Sequence, residues 1–271
     1  MRALNALVVV LLSVHLVSAQ QFVTLVKQCH EQFLDRFNEC LISAVKRVQP
    51  TLVKGNPELN VPSLDPLRLG DFSFVQTEGP VTVNAFYSDT LVYGVPKFDI
   101  KYLDLNVQNG SMHFGITLPS MTVRGKYKIG GRVFELPIEG EGDRGTLYTG
   151  ISVEGIGEVR PHAGFLRIGN IKLDFDFKTM VTKMENLFPN NRVMGDTVHH
   201  FLNNNYQTVA DEVRPEVSRQ LGNFFVEFFN RILTKVPAAV PRGASINTND
   251  KHRKKTLQDL ALRRISSASR N

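Results

Sequence analysis

Residues 213–236 read VRPEVSRQLGNFFVEFFNRILTKV, and the rest of the predicted architecture follows from this segment. Its apolar residues recur at steps of three and four, while Arg219, Glu227, Arg231 and Lys235 take the opposite side, which is the pattern of an amphipathic helix. The apolar stripe consists of Val213, Val217, Leu221, Phe224, Phe225, Phe228, Phe229, Ile232, Leu233 and Val236. So wide a stripe needs an equally long apolar partner.

The helix that carries this stripe is predicted to begin upstream, with Asp196 as its N-cap, and to stop at Pro237 after Val236. At about 1.5 Å per residue, a helix of this length would span roughly 60 Å. Pro215 lacks a backbone N–H and should kink it. We therefore predict one long, kinked C-terminal helix.

The chain before this helix, from about Phe72 to Lys178, alternates apolar and polar residues with a period of two, as β-strands do. The phase of the alternation slips near Tyr102–Leu103, which predicts a bulge that curves the strand. No helices alternate with these strands, so long antiparallel strands are predicted and a parallel α/β sheet is excluded. Turns between the strands are predicted at Asn109-Gly110, Gly130-Gly131, Gly140–Gly145 and Gly169-Asn170.

These patterns predict an α+β fold in which a strongly curved antiparallel sheet wraps lengthwise around the C-terminal helix and leaves an elongated interior. An amphipathic helical arm, Gln21–Val48, precedes the sheet and carries Cys29 and Cys40. One straight helix would hold these cysteines about 16 Å apart, and a disulfide tolerates a Cα separation of about 7 Å at most, so a bonded pair requires a bend near Asp35–Asn38. Two unconnected buried thiols are the alternative.

Residues 1–19 have the features of a secretory signal peptide. Arg2 supplies the positive start, Ala6–Val17 is largely apolar, and Val17-Ser18-Ala19 provides small residues for cleavage before Gln20. A membrane anchor is disfavoured because about 20 apolar residues are needed to cross a bilayer. The sequence therefore predicts a secreted, extracellular protein without stable membrane insertion, whose single domain covers residues 20–237.

The net charge of +6 is concentrated at the end of the chain. Residues 251–271 carry seven basic side chains against one acidic one, so the rest of the chain is nearly neutral. A broad nucleic-acid-binding face is therefore excluded. Residues 238–271 are predicted to be a disordered basic tail. A protein receptor or an anionic surface is its candidate partner, and a solvated, dispensable end is the alternative.

Motifs that would carry catalysis are lacking. Gly140–Gly145 matches the dinucleotide fingerprint G-x-G-x-x-G in letters, but a strand follows it instead of a helix. Adjacent His199 and His200 would point about 100° apart on a helix and have no further ligand at metal-site spacing. We predict no enzyme, no cofactor and no metal. The Asn109-Gly110-Ser111 sequon predicts a glycan on Asn109 at an exposed turn.

Several blocks in order resemble the insect takeout and haemolymph juvenile-hormone-binding protein family. The blocks are Cys29 with Cys40, VKGNPEL at 53–59, PSLDPL at 62–67, GKY at 125–127, LPIEGEG at 136–142, FLNNNY at 201–206, Pro215, and KVP at 235–237. The single cysteine pair looks more like takeout proteins than like relatives with a second bridge. The resemblance implies a TULIP-like fold, with a sheet wrapped around the helix to enclose a tunnel for a hydrophobic ligand and a disulfide-pinned arm closing one end.

The resemblance predicts a secreted carrier of a small hydrophobic ligand, such as a juvenile-hormone-like terpenoid or a fatty acid. A buried hydroxyl, from Tyr127 or Tyr148, would orient an oxygen of the ligand. The alternative function is a secreted signalling or interaction protein with a filled core, which acts through its surface and basic tail. The expected lid residues are Phe33 and Phe37, and the expected wall residues are Phe224, Phe225, Phe228 and Phe229.

Overall fold

The computed structural model describes residues 24–26, 28–29, 32, 36–57 and 61–234. The predicted signal peptide, Phe33 and the basic tail at 238–271 lie outside the described residues. The helices are α1 (Phe37–Val48), α2 (Arg192–Asn204) and α3 (Tyr206–Leu233). The strands are β1 (Leu67–Gln76), β2 (Val81–Tyr93), β3 (Asp99–Asn106), β4 (Ser111–Val133), β5 (Leu136–His162), β6 (Phe165–Asp176) and β7 (Thr179–Met184). All strand pairs are antiparallel, as predicted.

The β4–β5 hairpin is the longest strand pair and lies at the centre of the sheet. Its pairing runs from Ser111 opposite Glu158 to Val133 opposite Leu136 without a register shift. At one end of the hairpin, β3 pairs with β4 and β6 with β5. At the other end, β2 pairs with β4 and also with β1, while β7 pairs with β5. The path across the sheet is therefore β1-β2-β4-β5-β6.

The sheet curves around α3, because this helix contacts strands at both sheet edges. On the β6 side, Asn230 accepts a hydrogen bond from the backbone N–H of Ile168 and donates one to its carbonyl, both at 2.8 Å. On the β1 side, the Gln220 side chain donates to the carbonyl of Ser73 at 3.2 Å. A flat sheet would hold β1 and β6 about 19 Å apart, farther than a helix about 10–12 Å wide can bridge. The predicted α+β architecture is confirmed.

Three of the four predicted turns are wrong, because their glycines lie inside long strands instead of between strands. Gly130-Gly131 lies within β4, Gly140–Gly145 within β5 and Gly169-Asn170 within β6. At Gly131, an added Cβ would lie 2.2 Å from the carbonyl oxygen of Thr82 on β2, so the close approach of the strands requires glycine there. The chain turns instead at 134–135 and 163–164, and the predicted turn at Asn109-Gly110 is confirmed.

The C-terminal helical segment is two helices instead of the predicted single one. It begins at Arg192, where the side chain of Asn191 caps the helix by accepting a hydrogen bond from the N–H of Met194 at 3.1 Å. The interruption falls at Asn205, whose φ of −114° and ψ of 24° leave the helical region. Pro215 lies inside α3. The apolar period continues across the interruption, which is why it is invisible in the pattern of residues.

The N-terminal arm contains a disulfide, and the chain bends between its two cysteines as a bonded pair requires. Cys29 and Cys40 form a disulfide with a Cα–Cα distance of 5.5 Å, and α1 begins at Phe37, where the bend was expected. Beyond α1, the side chain of Gln49 donates to the carbonyls of Pro96 and Phe98, each at 2.6 Å. The disulfide therefore closes a loop within the arm, and the hydrogen bonds of Gln49 connect the chain after α1 to the segment just before β3.

Candidate functional site

The buried apolar residues fall into four groups, which we number as clusters 1 to 4 and which half-buried residues such as Ile116, Met121 and Val153 connect. A domain of this size ordinarily has one contiguous core with small satellites. Helix α3 contributes half-buried side chains to all four clusters. The fully buried members include Val81, Val83 and Val198 in cluster 1; Met112, Phe114 and Ile168 in cluster 2; Leu64, Leu67 and Val92 in cluster 3; and Leu118, Ile151 and Phe177 in cluster 4.

The four predicted wall residues come together on the inner side of α3. Phe224 and Phe228 stack with ring centroids 6.1 Å apart and pack against cluster 3. Phe225 and Phe229 stack at 5.7 Å and pack against cluster 2. All four rings are only half-buried, and Gly222 is the one fully buried residue of α3. The helix thus presents a row of aromatic rings that the surrounding side chains do not fully cover.

Gly222 sets how closely α3 approaches the sheet. A Cβ at this position would lie 2.5 Å from the backbone carbonyl of Ile171 on β6. Any side chain would therefore push the helix away from the strand. This contact fixes the distance between α3 and β6. With the helix at this distance, Phe225 and Phe229 pack against cluster 2, and Phe224 and Phe228 pack against cluster 3.

Tyr127 is buried on β4 within cluster 1. Its hydroxyl donates a hydrogen bond to the backbone carbonyl of Glu185 at 2.7 Å. Burial, with smaller contributions from Glu185 and Tyr87, raises the pKa of Tyr127 to about 12. The hydroxyl proton is already engaged by the protein, so this oxygen is left with only its capacity to accept a hydrogen bond. The role predicted for Tyr127 in ligand binding stays a prediction.

Tyr148 lies farther along the interior, on β5. Its ring meets Phe177 of cluster 4 edge-on, with centroids 5.1 Å apart. Burial raises the pKa of its hydroxyl above the usual value. No described residue accepts a hydrogen bond from this hydroxyl, which leaves it available as a donor. Of the two predicted tyrosines, Tyr148 has the geometry that better fits the expected role.

The predicted lid residues are described only in part. Phe37 is the first residue of α1 and is half-buried. It is not among the described residues that pack against the four clusters. Phe33 lies outside the described residues. The lid assignment of both residues stays a prediction.

Arg144 and Thr90 were missed by the sequence analysis. The guanidinium carbon of Arg144 lies 4.2 Å from the centroid of the Tyr87 ring, and burial lowers the pKa of the guanidinium. Thr90 is buried on β2. Two signals in its stretch conflict, because alternation from Leu147 places Arg144 outside and alternation from Tyr148 places it inside. In the structure Leu147 is the exposed one, at 42%, and Arg144 shares the inner face with Tyr148.

The adjacent histidines bind separate partners within the protein. His199 accepts a hydrogen bond from the N–H of Met184 at 3.0 Å, and the ring of His200 lies 2.8 Å from the side-chain amide of Asn204. Within the described residues there is no group of three or more His, Cys, Asp or Glu side chains arranged to hold a metal ion. Over the same residues, no helix is long and apolar enough to cross a membrane.

Asn109 is exposed at the β3–β4 turn. Its backbone N–H donates to the side chain of Asn106 at 2.9 Å, and Gly110 adopts a φ of 66°, which favours glycine. The side chain of Asn109 is thus accessible to modification. The predicted glycan stays a prediction.

Comparison with known proteins agrees with this architecture. The profile of the haemolymph juvenile hormone binding protein (JHBP) family matches residues 6–240. The chain is 24% identical over 212 residues to the circadian clock-controlled protein daywake of Drosophila melanogaster, which covers 73% of this chain and 81% of that protein. It is also 24% identical over 234 residues to daywake of Drosophila yakuba, over 81% and 88% of the two chains.

A solved structure shares the fold. The crystal structure of Epiphyas postvittana Takeout 1 superposes with a TM-score of 0.64 at 25% sequence identity, over 74% of this chain and 94% of that one. The resemblance drawn from the sequence blocks is confirmed, both in the family profile and in the fold.

Proposed function

The chain belongs to the haemolymph juvenile hormone binding protein (JHBP) family, and on this premise we propose that it is a secreted carrier that holds a small hydrophobic ligand between α3 and the curved sheet. Members of this family are binding proteins and not enzymes. The ligand class that we propose is a juvenile-hormone-like terpenoid or a fatty acid, and the compartment is extracellular. No bond is broken in this function, because burial of the ligand's apolar surface supplies the binding free energy.

The observation that carries the proposal is the incomplete burial of the aromatic row. Phe224, Phe225, Phe228 and Phe229 pack against clusters 2 and 3 and contact one another, yet all four remain half-buried. Large aromatic side chains in a filled core would be fully covered. Aromatic surface that the protein leaves partly uncovered is what a hydrophobic ligand can cover.

The free energies of burial and association are compatible with measurable binding of a ligand. A ligand that buries about 400 Å² of apolar surface gains on the order of 10 kcal/mol from burial. Association costs of roughly 4–15 kcal/mol oppose this gain. Net affinity therefore depends on how rigidly the site is formed beforehand. The hydrogen bonds of Asn230 to β6 and the close contact of Gly222 with Ile171 hold α3 in place against the sheet.

A titration with a lipophilic fluorescent dye tests the proposal. We expect the wild-type protein to bind the dye and Phe228→Ser to bind it about tenfold more weakly, because a wall ring has been removed and a hydroxyl introduced. Phe86→Ser is the matched control, since this phenylalanine is 45% exposed on β2. It should bind the dye as the wild type does. Unchanged binding by Phe228→Ser would reject the wall assignment.

Native mass spectrometry of secreted protein separates a carrier from an interaction protein with a filled core. A bound mass that exchanges with added lipid supports the carrier. Protein that carries no exchangeable mass and does not take up the dye would contradict the proposed function.

A further inference from the structure

Two buried polar atoms in the described part of the chain lack a hydrogen-bond partner. They are the Nε of Arg144 and the hydroxyl oxygen of Thr90. Buried polar groups in folded proteins are nearly always paired, and an orphaned one costs free energy. The two atoms belong to strands of the same half of the sheet, on either side of β4.

The strand pairing explains why they lie close. Arg144 on β5 is directly opposite Gly125 on β4. On the other side of Gly125, β2 bulges, and a Cβ on Gly125 would lie 2.8 Å from the carbonyl of Ser88 and 3.0 Å from the Cα of Thr90. The Cα atoms of Arg144 and Thr90 are thus separated by two strand spacings, about 10 Å. Between them is a glycine without a side chain.

The Arg144 side chain extends from β5 across β4 to β2. Its guanidinium crosses β4 and stacks 4.2 Å from the centre of the Tyr87 ring on β2. Tyr87 packs against cluster 1, whereas Val123, next to Gly125 on the same face of β4, packs with cluster 3. Tyr148, on the same face of β5 as Arg144, packs with cluster 4. The guanidinium therefore lies where three of the four clusters meet.

Arg144 has no counter-ion in the described part of the chain, where the ion pairs all involve other residues. Burial lowers the pKa of the guanidinium, yet arginine stays charged in proteins. A partly buried charge without a partner is unfavourable unless something neutralises it. The contact with Tyr87 is a partial compensation, because an aromatic face attracts a cation.

We infer that this guanidinium binds the carboxylate of a single-chain apolar acid, with the hydroxyls of Thr90 and Tyr148 as neighbouring donors. The inference rests on the proposed carrier function and specifies its ligand as an ionised acid in preference to a neutral ester. A carboxylate matches the donor geometry of a guanidinium. It also matches the single positive charge, whereas a phosphate monoester would bring up to two negative charges into the interior.

Binding of the carboxylate at Arg144 also fixes the orientation of the ligand in the site. A carboxylate at Arg144 leaves its hydrocarbon chain beside Val123, which packs in cluster 3 together with Phe224 and Phe228. The acid group would thus be bound at the centre of the sheet, and the chain would extend along the aromatic row of α3. One charged contact fixes the orientation, and apolar burial supplies most of the affinity.

The test compares oleic acid with methyl oleate at pH 7.4, by displacement of the bound dye from delipidated protein. We expect the wild type to prefer the acid by about 10- to 100-fold, because a hydrogen bond to a charged group is made only with the carboxylate. Arg144→Met keeps the length of the side chain and removes the charge. In this variant the preference should fall to about twofold or less, while the affinity for methyl oleate stays within about threefold of the wild type.

The matched control is Arg124→Gln. Arg124 is an exposed arginine on β4 that also contacts an aromatic ring, that of Tyr93 at 5.8 Å. Its removal should leave the preference for the acid unchanged. Thermal unfolding of Arg144→Met without ligand checks the fold, and we expect a midpoint no lower than that of the wild type, because an unpaired charge has been removed. Thr90→Val provides a second variant, with about fivefold weaker acid binding.

The outcomes distinguish the inference from the function on which it rests. Equal affinity of the wild type for acid and ester, or a preference that survives Arg144→Met in the folded protein, would overturn the carboxylate assignment and leave the carrier intact. Failure of the dye, the acid and the ester alike to bind would overturn the carrier function itself.

Discussion

At the scale of single residues, the interior is defined by where polar atoms find partners. Tyr127 satisfies its hydroxyl with the carbonyl of Glu185, whereas Arg144 and Thr90 retain unpaired atoms. Both arrangements are buried, but only the second leaves hydrogen-bonding capacity to a ligand. A buried hydroxyl thus stabilises the fold at Tyr127, whereas at Thr90 a buried hydroxyl is left for the ligand that we propose.

Tyr127→Phe should reveal the structural role of its hydroxyl. Because the folded protein holds the pKa of Tyr127 at about 12 and an unfolded tyrosine ionises near 10, the unfolded state loses its proton first as the pH rises. The free energy of unfolding should therefore fall between pH 10 and pH 12 in the wild type. In the variant this fall should be shallower.

At neutral pH, Tyr127→Phe should lower the free energy of unfolding by about 1 kcal/mol, since the carbonyl of Glu185 loses its partner. Urea denaturation at a series of pH values measures both effects. Tyr93→Phe is the control, because no described residue shares a hydrogen bond with that hydroxyl. An identical pH profile for Tyr127→Phe and the wild type would contradict the assignment.

At the scale of elements, α3 completes the sheet as well as packing on it. The side-chain amide of Asn230 binds both backbone groups of Ile168, as a neighbouring strand would do. On the same edge, Arg214 donates to the carbonyl of Phe175. These contacts satisfy backbone groups of β6 that would otherwise be open, which is one way in which proteins protect an edge strand.

Asn230→Ala should weaken this junction. Two hydrogen bonds to a partly buried edge strand are lost, and we expect the free energy of unfolding to fall by about 2 kcal/mol. Asn223→Ala on the same helix is the control, since Asn223 is exposed, and it should change stability by less than about 0.5 kcal/mol. Equal urea midpoints for the two variants would show that the Asn230 bridge is energetically unimportant.

At the scale of the whole molecule, the buried residues form four clusters along α3 instead of one core, and half-buried side chains connect them. The stability of such a protein should depend on what fills the space between the clusters. Any ligand that binds only the folded state stabilises it by mass action. Ligand content is therefore expected to be visible in thermal unfolding.

Solvent extraction of bound lipid should lower the unfolding midpoint, and addition of oleic acid should restore it. At a free concentration about 100 times the dissociation constant, the expected stabilisation is about 2.7 kcal/mol. Differential scanning calorimetry with increasing ligand measures the shift. Lysozyme treated in the same way serves as the solvent control. A midpoint that responds neither to extraction nor to oleic acid would indicate a filled interior.

Much of this architecture was predictable from the residues alone. The apolar stripe around Phe224 and Phe228, the alternation along β4 and β6, and the bend between Cys29 and Cys40 all appear in the structure. The predicted bulge near Tyr102–Leu103 is found between Ile100 and Tyr102. Such features depend on periodicity and chain reach, which are properties of short segments and can be recognised without the rest of the molecule.

Other features required the assembled protein. Gly131 is needed because Thr82 approaches it from a strand about fifty positions away, and the interruption at Asn205 does not alter the apolar period. Arg144 is the sharpest case, since its own segment places the apolar Leu147 outside and the charged side chain within. The direction of a side chain in a curved sheet depends on contacts with distant strands, and only the three-dimensional structure supplies those contacts.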